Sequence, residues 1–201
     1  MENKNVKLAI IYYSSTGTNY QMAQWAKAEA ENNGAEVKLL KVKELVPEEG
    51  YAKNPAWKAN ADATKDIPEA TSDDLVWADA ILFSAPSRYG TLPAQMNYFI
   101  DGQGSIWAEG KLVNKVVSAM SSAQNVHGGQ EATILSLYTN MFHWGAIVVS
   151  PGYSDPVLYT TGGNPYGAST QVDQDANIMD NVQPAVEIQI RRLLDIAGKL
   201  K

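Results

Sequence analysis

The sequence predicts an α/β protein with a five-stranded parallel sheet and helices on both of its faces, formed as a single domain over residues 1–201. Short runs rich in β-branched residues alternate with segments of helical periodicity, which is typical of parallel strands joined by helices. The chain has 201 residues, and 45% of them are hydrophobic. That length and composition suit one buried core, and one α/β domain better than two.

The predicted strands are short runs of mainly apolar residues. They are residues 6–13, 37–40, 80–83, 116–120 and 146–149. The third run is apolar throughout, as expected for a strand that a parallel sheet buries on both faces. These five runs are spaced so that a helix fits between most successive strands.

Four segments have the periodicity of helices that pack on one face. They are residues 20–33, 92–100, 132–141 and 183–200. Gly34 is suited to end the first helix, and proline is tolerated in the first turn of the second, where Pro93 stands. The apolar positions predicted to face the core are Met22, Ala23, Ala26, Ala30, Met96, Phe99, Ile134, Leu137, Tyr138, Met141, Val186, Ile190, Leu193, Leu194 and Ala197.

Three connecting segments are long for loops: residues 42–70, 101–114 and 150–180. Loops of such length are usually functional or form interfaces, and the Gly-, Pro- and Tyr-rich composition of the last one predicts irregular structure. Several apolar and aromatic residues of the second and third segments fall outside the predicted core, and exposed groups of that kind usually mark an interface. They are Ile106, Trp107, Leu112, Val113, Tyr153, Tyr159 and Tyr166.

Composition argues against several classes of function. The formal net charge of −6 argues against nucleic acid or an anionic membrane surface as a partner. The chain has no cysteine and two histidines, so we expect neither thiol chemistry nor a metal site. The apolar run that follows residues 1–5 is too short for a signal-peptide core, and no segment is suited to cross a bilayer. We therefore expect a cytoplasmic protein without integral membrane contact.

The connection between the first strand and the first helix favours a phosphate site. Ligands of an open parallel sheet bind at the carboxyl ends of the strands. This loop offers four hydroxyl groups, a flexible glycine and free N–H groups at a helix N-terminus. It is composed of Ser14, Ser15, Thr16, Gly17, Thr18 and Asn19. A monophosphate suits it better than a triphosphate or a dinucleotide, because the motifs for those ligands are missing from the loop. The alternative is a Ser/Thr-rich turn with a helix cap.

The loops after the third and fourth strands carry groups suited to a planar ring. The second loop combines an aromatic ring with a cation, and its alternative is a surface arginine beside a tyrosine. It comprises Pro86, Ser87, Arg88, Tyr89 and Gly90. The glycines of the third loop let backbone approach a ligand closely, and its alternative is a flexible turn with an exposed histidine. It comprises Ser121, Ser122, Ala123, Gln124, Asn125, Val126, His127, Gly128, Gly129 and Gln130. The three loops together favour a ligand site more strongly than any one of them.

Residues along nearly the whole chain resemble, in order, a known family. They are Tyr12, Tyr13, Ser14, Gly17, Pro86, Ser87, Arg88, Tyr89, Gly90, Gln95, Met96, Phe99, Asp101, Leu112, Lys115, His127, Gly128, Gly129, Gln130, Glu131, His143, Gly145, Gly162, Gly163, Pro165, Tyr166, Gly167 and Ala168. The family is that of the WrbA-type NAD(P)H:quinone oxidoreductases, a branch of the flavodoxin-like proteins. The resemblance implies a flavodoxin-like fold with strand order 2-1-3-4-5, FMN as cofactor, NAD(P)H and a quinone as substrates, and a homotetramer.

The resemblance also implies roles for individual residues. The implied cofactor-binding residues are Ser14, Ser15, Thr16, Gly17, Thr18, Asn19, Pro86, Ser87, Arg88, Tyr89, Gly90, Ser121, Ser122, Ala123, Gln124, Asn125, Val126, His127, Gly128 and His143. The first loop would hold the FMN phosphate, residues 87–89 would line the isoalloxazine ring, and residues 122–128 would surround its pyrimidine edge. His143 would contact FMN from a neighbouring subunit. Trp107 and Thr16 match substrate positions, at the mouth of the site and against the nicotinamide nucleotide.

The implied reaction is the two-electron reduction of quinones in ping-pong order, with no catalytic acid–base residue. The alternatives are a flavodoxin-type one-electron carrier and a non-catalytic FMN-binding interaction protein. For single residues, Trp107 is alternatively a buried interface aromatic and His143 a hydrogen-bonded core histidine. The chain departs from the family pattern in a third loop that is one residue longer, in Thr91 and in Pro93. We expect these departures to affect substrate preference rather than FMN binding.

Overall fold

Six strands form a parallel sheet in the computed structural model, which describes residues 6–201. They are β1 (Lys7–Tyr12), β2 (Glu36–Lys41), β3 (Ala80–Pro86), β4 (Val116–Ala123), β5 (Ile147–Val148) and β6 (Ser169–Gln171). The order is β2-β1-β3-β4-β5, with β6 paired to β4. The predicted strand order is confirmed. Residues 1–5, on which part of the expectation of a cytoplasmic protein depended, lie outside the described residues.

The short sixth strand was not predicted. β3 occupies one edge of β4 from Val116 to Ser122, so β5 and β6 share the other edge. β5 pairs with the first two residues of that edge, and β6 pairs with its last three, residues 121–123. β6 therefore extends the sheet at the carboxyl end of β4, which is the end from which the third loop leaves.

Eight α-helices pack around the sheet in the described part of the chain. They are α1 (Thr18–Asn32), α2 (Glu48–Tyr51), α3 (Pro55–Ala63), α4 (Ser72–Trp77), α5 (Ala94–Asp101), α6 (Gly104–Ala108), α7 (Gln130–His143) and α8 (Gln183–Leu200). A 3-10 helix follows β5 at Pro156–Thr160. The helices α1 and α8 cover one face of the sheet, and α5 and α7 cover the other. None of these helices between residues 6 and 201 combines the length and the apolar character needed to cross a membrane.

The predicted apolar stripes form the two cores. Each of the fifteen residues predicted to face the core is at most 8% exposed, and this prediction is confirmed. Burial of a large apolar side chain contributes about 1.5–3 kcal/mol relative to an exposed one. The stripes of α1 and α8 therefore hold these helices on the sheet, and α1 carries the first loop at its N-terminus.

The segments predicted as long loops contain short regular elements, so that prediction was wrong for those parts, while most of residues 150–180 is irregular, as predicted. Helices α2 and α3 lie within residues 42–70, α6 lies within 101–114, and 150–180 contains the 3-10 helix and β6. α4 was not predicted either. α3 buries none of its residues, so it has no apolar stripe that a periodicity search detects. Its start depends on Asn54, which caps the N–H of Trp57 at 3.1 Å, and on Pro55 in the first turn.

β3 and β4 run further than predicted, to Pro86 and Ala123. Small polar residues interrupt the apolar runs there, which is why the predicted strands ended early. Ser84 and Ser122 are accommodated because both hydroxyl groups bond to the side chain of Asn19, at 3.1 and 2.6 Å. The first residue of the second loop and the first three of the third loop therefore stand at strand ends.

Two of the residues expected outside the core are buried in it. Ile106 and Leu112 are 7% and 0% exposed and join the core on the α5 and α7 side, so the expectation was wrong for them. The other five are between 38% and 68% exposed, as predicted. They are Trp107, Val113, Tyr153, Tyr159 and Tyr166.

Candidate cofactor-binding site

The three predicted loops meet in one cleft of about 540 Å³ at the carboxyl ends of β1, β3 and β4. Ligand pockets in proteins are commonly of this size. The predicted residues that line the cleft are Ser14, Ser15, Thr16, Thr18, Asn19, Pro86, Ser87, Arg88, Tyr89, Ser122, Ala123, Gln124, Asn125 and Gly128. The predicted residues that lie outside this lining are Gly17, Gly90, Ser121, Val126, His127, Trp107 and His143.

Gly17 shapes the loop after β1. Its φ is 100°, in the left-handed region that favours glycine. Its N–H donates to Ser14 Oγ at 3.0 Å, and its carbonyl accepts from the N–H of Gln21 at 2.8 Å, where the helix begins. Gly17 is thus the N-cap of α1, in place of a side-chain cap from serine or threonine. The N–H groups of a first helical turn lack carbonyl partners within the helix, so this turn suits an anion.

Asn19 fixes the start of α1 against the sheet. Its side chain is 1% exposed. The amide Nδ2 donates to Ser84 Oγ, and Oδ1 accepts from Ser122 Oγ. A buried polar group is stable only when it is hydrogen-bonded. Here the side chains of Asn19, Ser84 and Ser122, from α1, β3 and β4, are hydrogen-bonded to one another. The first loop is therefore held in register with the ends of β3 and β4.

A hydrogen bond and a close backbone contact join the second and third loops. Ser87 Oγ donates to the carbonyl of Gly128 at 2.7 Å and accepts from the N–H of Gly90 at 3.2 Å. A Cβ on Gly129, whose φ is 85°, would lie 2.6 Å from the Cα of Gly90. Glycine is required at this contact because any side chain would push the two loops apart.

Arg88 joins the second loop to the first. Its Nη2 donates to Ser15 Oγ at 2.9 Å, which brings a positive charge to the loop suited to phosphate. The following Tyr89 has a φ of 54° and a fully exposed side chain. Backbone hydrogen bonds between Arg88 and Thr91, at 2.9 and 3.1 Å, hold this strained turn. An aromatic ring is thus presented at the edge of the cleft.

The cleft has walls that the sequence did not indicate. From residues 42–70, Asn54 and Trp57 line it, and Asn60 Nδ2 donates to the carbonyl of Ser14 at 2.8 Å. From residues 150–180, the lining includes Val172, Asp173, Gln174 and Ala176. The carbonyl of Ala176 accepts from Thr18 Oγ1 at 3.3 Å. No local pattern marks these residues, because their position depends on α3 and on the turn after β6.

In the turn after β6, the carboxylate of Asp173 already accepts hydrogen bonds from within the turn. A hydrogen bond from the side chain of Asn177, together with backbone N–H groups, holds the pKa of Asp173 below its usual range. The turn is built around this charge, so the carboxylate organises the wall beside α1. Over residues 6–201, no group of three or more histidine, aspartate or glutamate side chains is positioned to hold a metal ion.

Behind the first loop, the buried Tyr13 pairs with the half-buried Glu44. Tyr13 donates its hydroxyl hydrogen to Glu44 Oε2 at 3.0 Å, and Gln95 Nε2 donates to Oε1 at 2.6 Å. Burial, with the charge of Glu44, raises the pKa of Tyr13 well above its usual value. The hydroxyl therefore stays protonated and remains a donor, and the pair ties the end of β1 to α5.

Trp107 and His143 lie together on the surface, outside the cleft of their own chain. His143 ends α7 with an exposed side chain, so its interpretation as a core histidine is wrong. Trp107 is 53% exposed in α6, so it is not buried within its own chain. Neither side chain reaches the lining formed by the three loops.

A parallel sheet of this order, with a cleft at the strand ends and a loop suited to an anion before α1, defines a flavodoxin-like protein. The chain belongs to the NADPH-dependent FMN reductase family, whose profile matches residues 6–155. The predicted family relationship is confirmed.

Relatives of known name extend over nearly the whole chain. It is 51% identical to a NAD(P)H dehydrogenase (quinone) of Deinococcus radiodurans over 195 residues, 97% of each chain. It is 44% identical to an enzyme of the same name from Sinorhizobium fredii over 175 residues, 85% of each. Among solved structures, a flavodoxin, WrbA-like protein from Agrobacterium tumefaciens is similar, with a TM-score of 0.69 at 19% identity over 98% of this chain and 99% of that one. The structural likeness shows the fold.

Proposed function

We propose that this chain is an FMN-dependent NAD(P)H:quinone oxidoreductase that reduces quinones by two electrons in ping-pong order. The observation that carries the proposal is the convergence of three loops on one cleft, two of them joined by the bond from Ser87 to Gly128. The names of the relatives from D. radiodurans and S. fredii support the activity. The family relationship supports the flavin.

The residues of the cleft fit FMN. The first turn of α1 and the hydroxyl groups of Ser14 and Ser15 are suited to its phosphate, with Arg88 adding a positive charge. The second and third loops, in contact with each other at Gly90 and Gly129, are suited to the ring. When bound, FMN supplies the redox chemistry, and the protein binds, orients and tunes it.

The third loop and Arg88 are expected to stabilise negative charge at the pyrimidine edge of the ring. Preorganised N–H groups and cations act strongly where charge develops in a site sheltered from water. Residues 122–125 and Gly128 border the cleft at that end. His127 is exposed and outside the lining, so Arg88 is the better placed cation.

The use of one cleft by both substrates would favour ping-pong order. NAD(P)H and the quinone would use the same open side of the site in turn, and each would have to leave before the other entered. Among the predicted residues no acid–base pair is needed, since the residues position the ring and the substrates. A carrier of single electrons would instead meet a protein partner at this edge.

We further propose a homotetramer in which subunits complete one another's sites. Trp107 and His143, two residues implied for the site, are exposed together away from their own cleft. Tyr153 and Tyr159 stack with centroids 5.0 Å apart on the exposed surface of another segment. Large exposed aromatics of this kind usually mark interfaces. A cytoplasmic location stays a prediction from the sequence.

The experiment is a flavin analysis followed by steady-state kinetics. The purified protein should be yellow and release one FMN per chain on denaturation; FAD or no flavin contradicts the proposal. Oxidation of NADH and NADPH with benzoquinone should give parallel double-reciprocal lines. Intersecting lines would exclude ping-pong order, and a strict need for a protein acceptor would favour the one-electron carrier.

A further inference from the structure

Helix α3 forms one wall of the cleft and places an aromatic side chain there. Trp57 is half-buried and lines the cleft together with Asn54, two residues that the three loops do not contain. Trp57 also lines an adjoining cavity of about 260 Å³, which shares Ser14 with the main cleft. The residues of the second and third loops do not line that cavity. Trp57 therefore lies on the Ser14 side of the cleft, away from the loops suited to the flavin ring.

The position of Trp57 is fixed by contacts on three sides. Its ring stacks on Tyr51, with centroids 5.7 Å apart and planes inclined by 25°. The backbone N–H of Trp57 donates to Asn54 Oδ1 at 3.1 Å. One turn further on, Asn60 bonds to the carbonyl of Ser14 at 2.8 Å and ties α3 to the first loop. An aromatic face held in this way is preorganised for a ligand.

The chemistry of this face points to a second ring system at the far end of the cleft. An indole held in a fixed orientation can stack on a planar base, and this stacking is favourable for every base because each has a flat π-face. The amide of Asn54 beside it offers hydrogen-bonding groups. The hydride donor named in the proposed function has two rings, a nicotinamide that must meet the flavin and an adenine at its other end.

We infer that Trp57 binds the adenosine part of NAD(P)H, with the adenine ring packed on the indole and Asn54 at its edge. This inference rests on the proposed function and adds a specificity residue to it. The adenosine then anchors the donor on α3, while its nicotinamide lies over the flavin ring that the second and third loops would hold. Trp57 is expected to contribute to donor affinity.

The direct test is calorimetric titration of the FMN-loaded protein with ADP-ribose, which contains the adenosine part without the nicotinamide. Trp57→Leu should weaken ADP-ribose binding about tenfold or more, whereas Trp57→Phe keeps an aromatic face and should retain most of the affinity. Trp25→Leu is the matched control, because Trp25 is a half-buried tryptophan beside an open groove that starts at Thr16. Equal losses in the two leucine variants, or no loss in Trp57→Leu, would overturn the inference. Flavin content checks that each variant is folded.

A kinetic comparison separates this inference from the proposed function. Trp57→Leu should raise KM for NADH and leave KM for reduced nicotinamide mononucleotide, which lacks adenosine, within about twofold. Equal effects on both donors would contradict an adenosine contact, as would a loss of FMN affinity in place of ADP-ribose affinity. If the unaltered protein oxidises neither donor, the proposed function fails, and the calorimetric result still decides whether Trp57 binds adenosine.

Discussion

The indole Nε1 of Trp107 donates a hydrogen bond of 2.8 Å to the backbone carbonyl of His143. This bond joins α6 to the end of α7, so two residues 36 positions apart present their side chains from one surface. Both residues are implied for the active site by family resemblance, yet neither lines the cleft of its own chain. The proposed site shared between subunits would account for this placement.

The assembly prediction follows from that relationship. We expect a homotetramer by light scattering, with quinone reductase activity that falls as dilution dissociates it, because the isolated chain lacks the side chains that a neighbour would supply. Scattering and activity should be measured on the same dilution series. A fully active monomer would refute both the assembly and the shared site. A stable dimer would count against the tetramer only.

Charge in the first loop should control FMN affinity. Ser14→Asp places a carboxylate where the phosphate is proposed to bind and removes a hydroxyl donor, so we expect the dissociation constant of FMN to rise about ten- to hundredfold. Flavin titration of the apoprotein measures it. Ser14→Asn is the matched neutral control of the same size and should show a smaller effect. If both variants bind FMN as the unaltered protein does, the phosphate lies elsewhere.

The contact between Gly129 and Gly90 should be essential for joining the second and third loops. Gly129→Ala introduces a Cβ 2.6 Å from the Cα of Gly90 in a residue with a φ of 85°. Gly34→Ala is the control, because its φ of 77° imposes similar backbone strain with no atom within 4 Å. We expect Gly34→Ala to lower the free energy of unfolding by about 1–2 kcal/mol. Gly129→Ala should lower it by about a further 1–3 kcal/mol and weaken FMN binding. Urea unfolding and flavin titration measure the two effects, and equal results for both variants would exclude a role for the contact.

Acid sensitivity should depend in part on Asp74, whose carboxylate completes the capping box of α4 with the N-cap residue Thr71. Burial alone would raise the pKa of Asp74, but hydrogen bonds from Lys38 and Thr71 outweigh it and hold the pKa below its usual range. Because the folded-state pKa is the lower one, the stabilisation is complete above the unfolded pKa of about 4 and is lost as pH falls through the folded value.

Asp74→Asn should therefore lower the free energy of unfolding near neutral pH by about 1–2 kcal/mol. It should also flatten the loss of stability below about pH 4. Urea unfolding at a series of pH values measures both effects. Asp73→Asn removes an exposed charge from the same turn and is the control. An unchanged pH dependence in Asp74→Asn would show that the capping carboxylate does not set the acid response.

Elements with an apolar stripe or an apolar run could be predicted from the sequence, and elements without one could not. Met22 and Ile190 lie at core positions because helical periodicity places them on a single face, and both are fully buried. α3 escaped detection because it buries no residue, and it is held by an N-cap and by the bond from Asn60 to Ser14. The last residues of β4 were not predicted as strand because Ser122 is polar and its hydrogen-bond partner, Asn19, is 103 residues away in the chain.

The same division applies to the site. The sequence by itself determined the two cores and the three loops, because these follow from local periodicity, from short motifs and from the rule that parallel strands end on one edge. The strand order was implied by the family resemblance that the same sequence carries. The tertiary structure alone decided that Trp57 and Asp173 form walls of the cleft and that Trp107 and His143 stand outside it. These positions depend on contacts between segments far apart in the chain, which only the packed fold brings together.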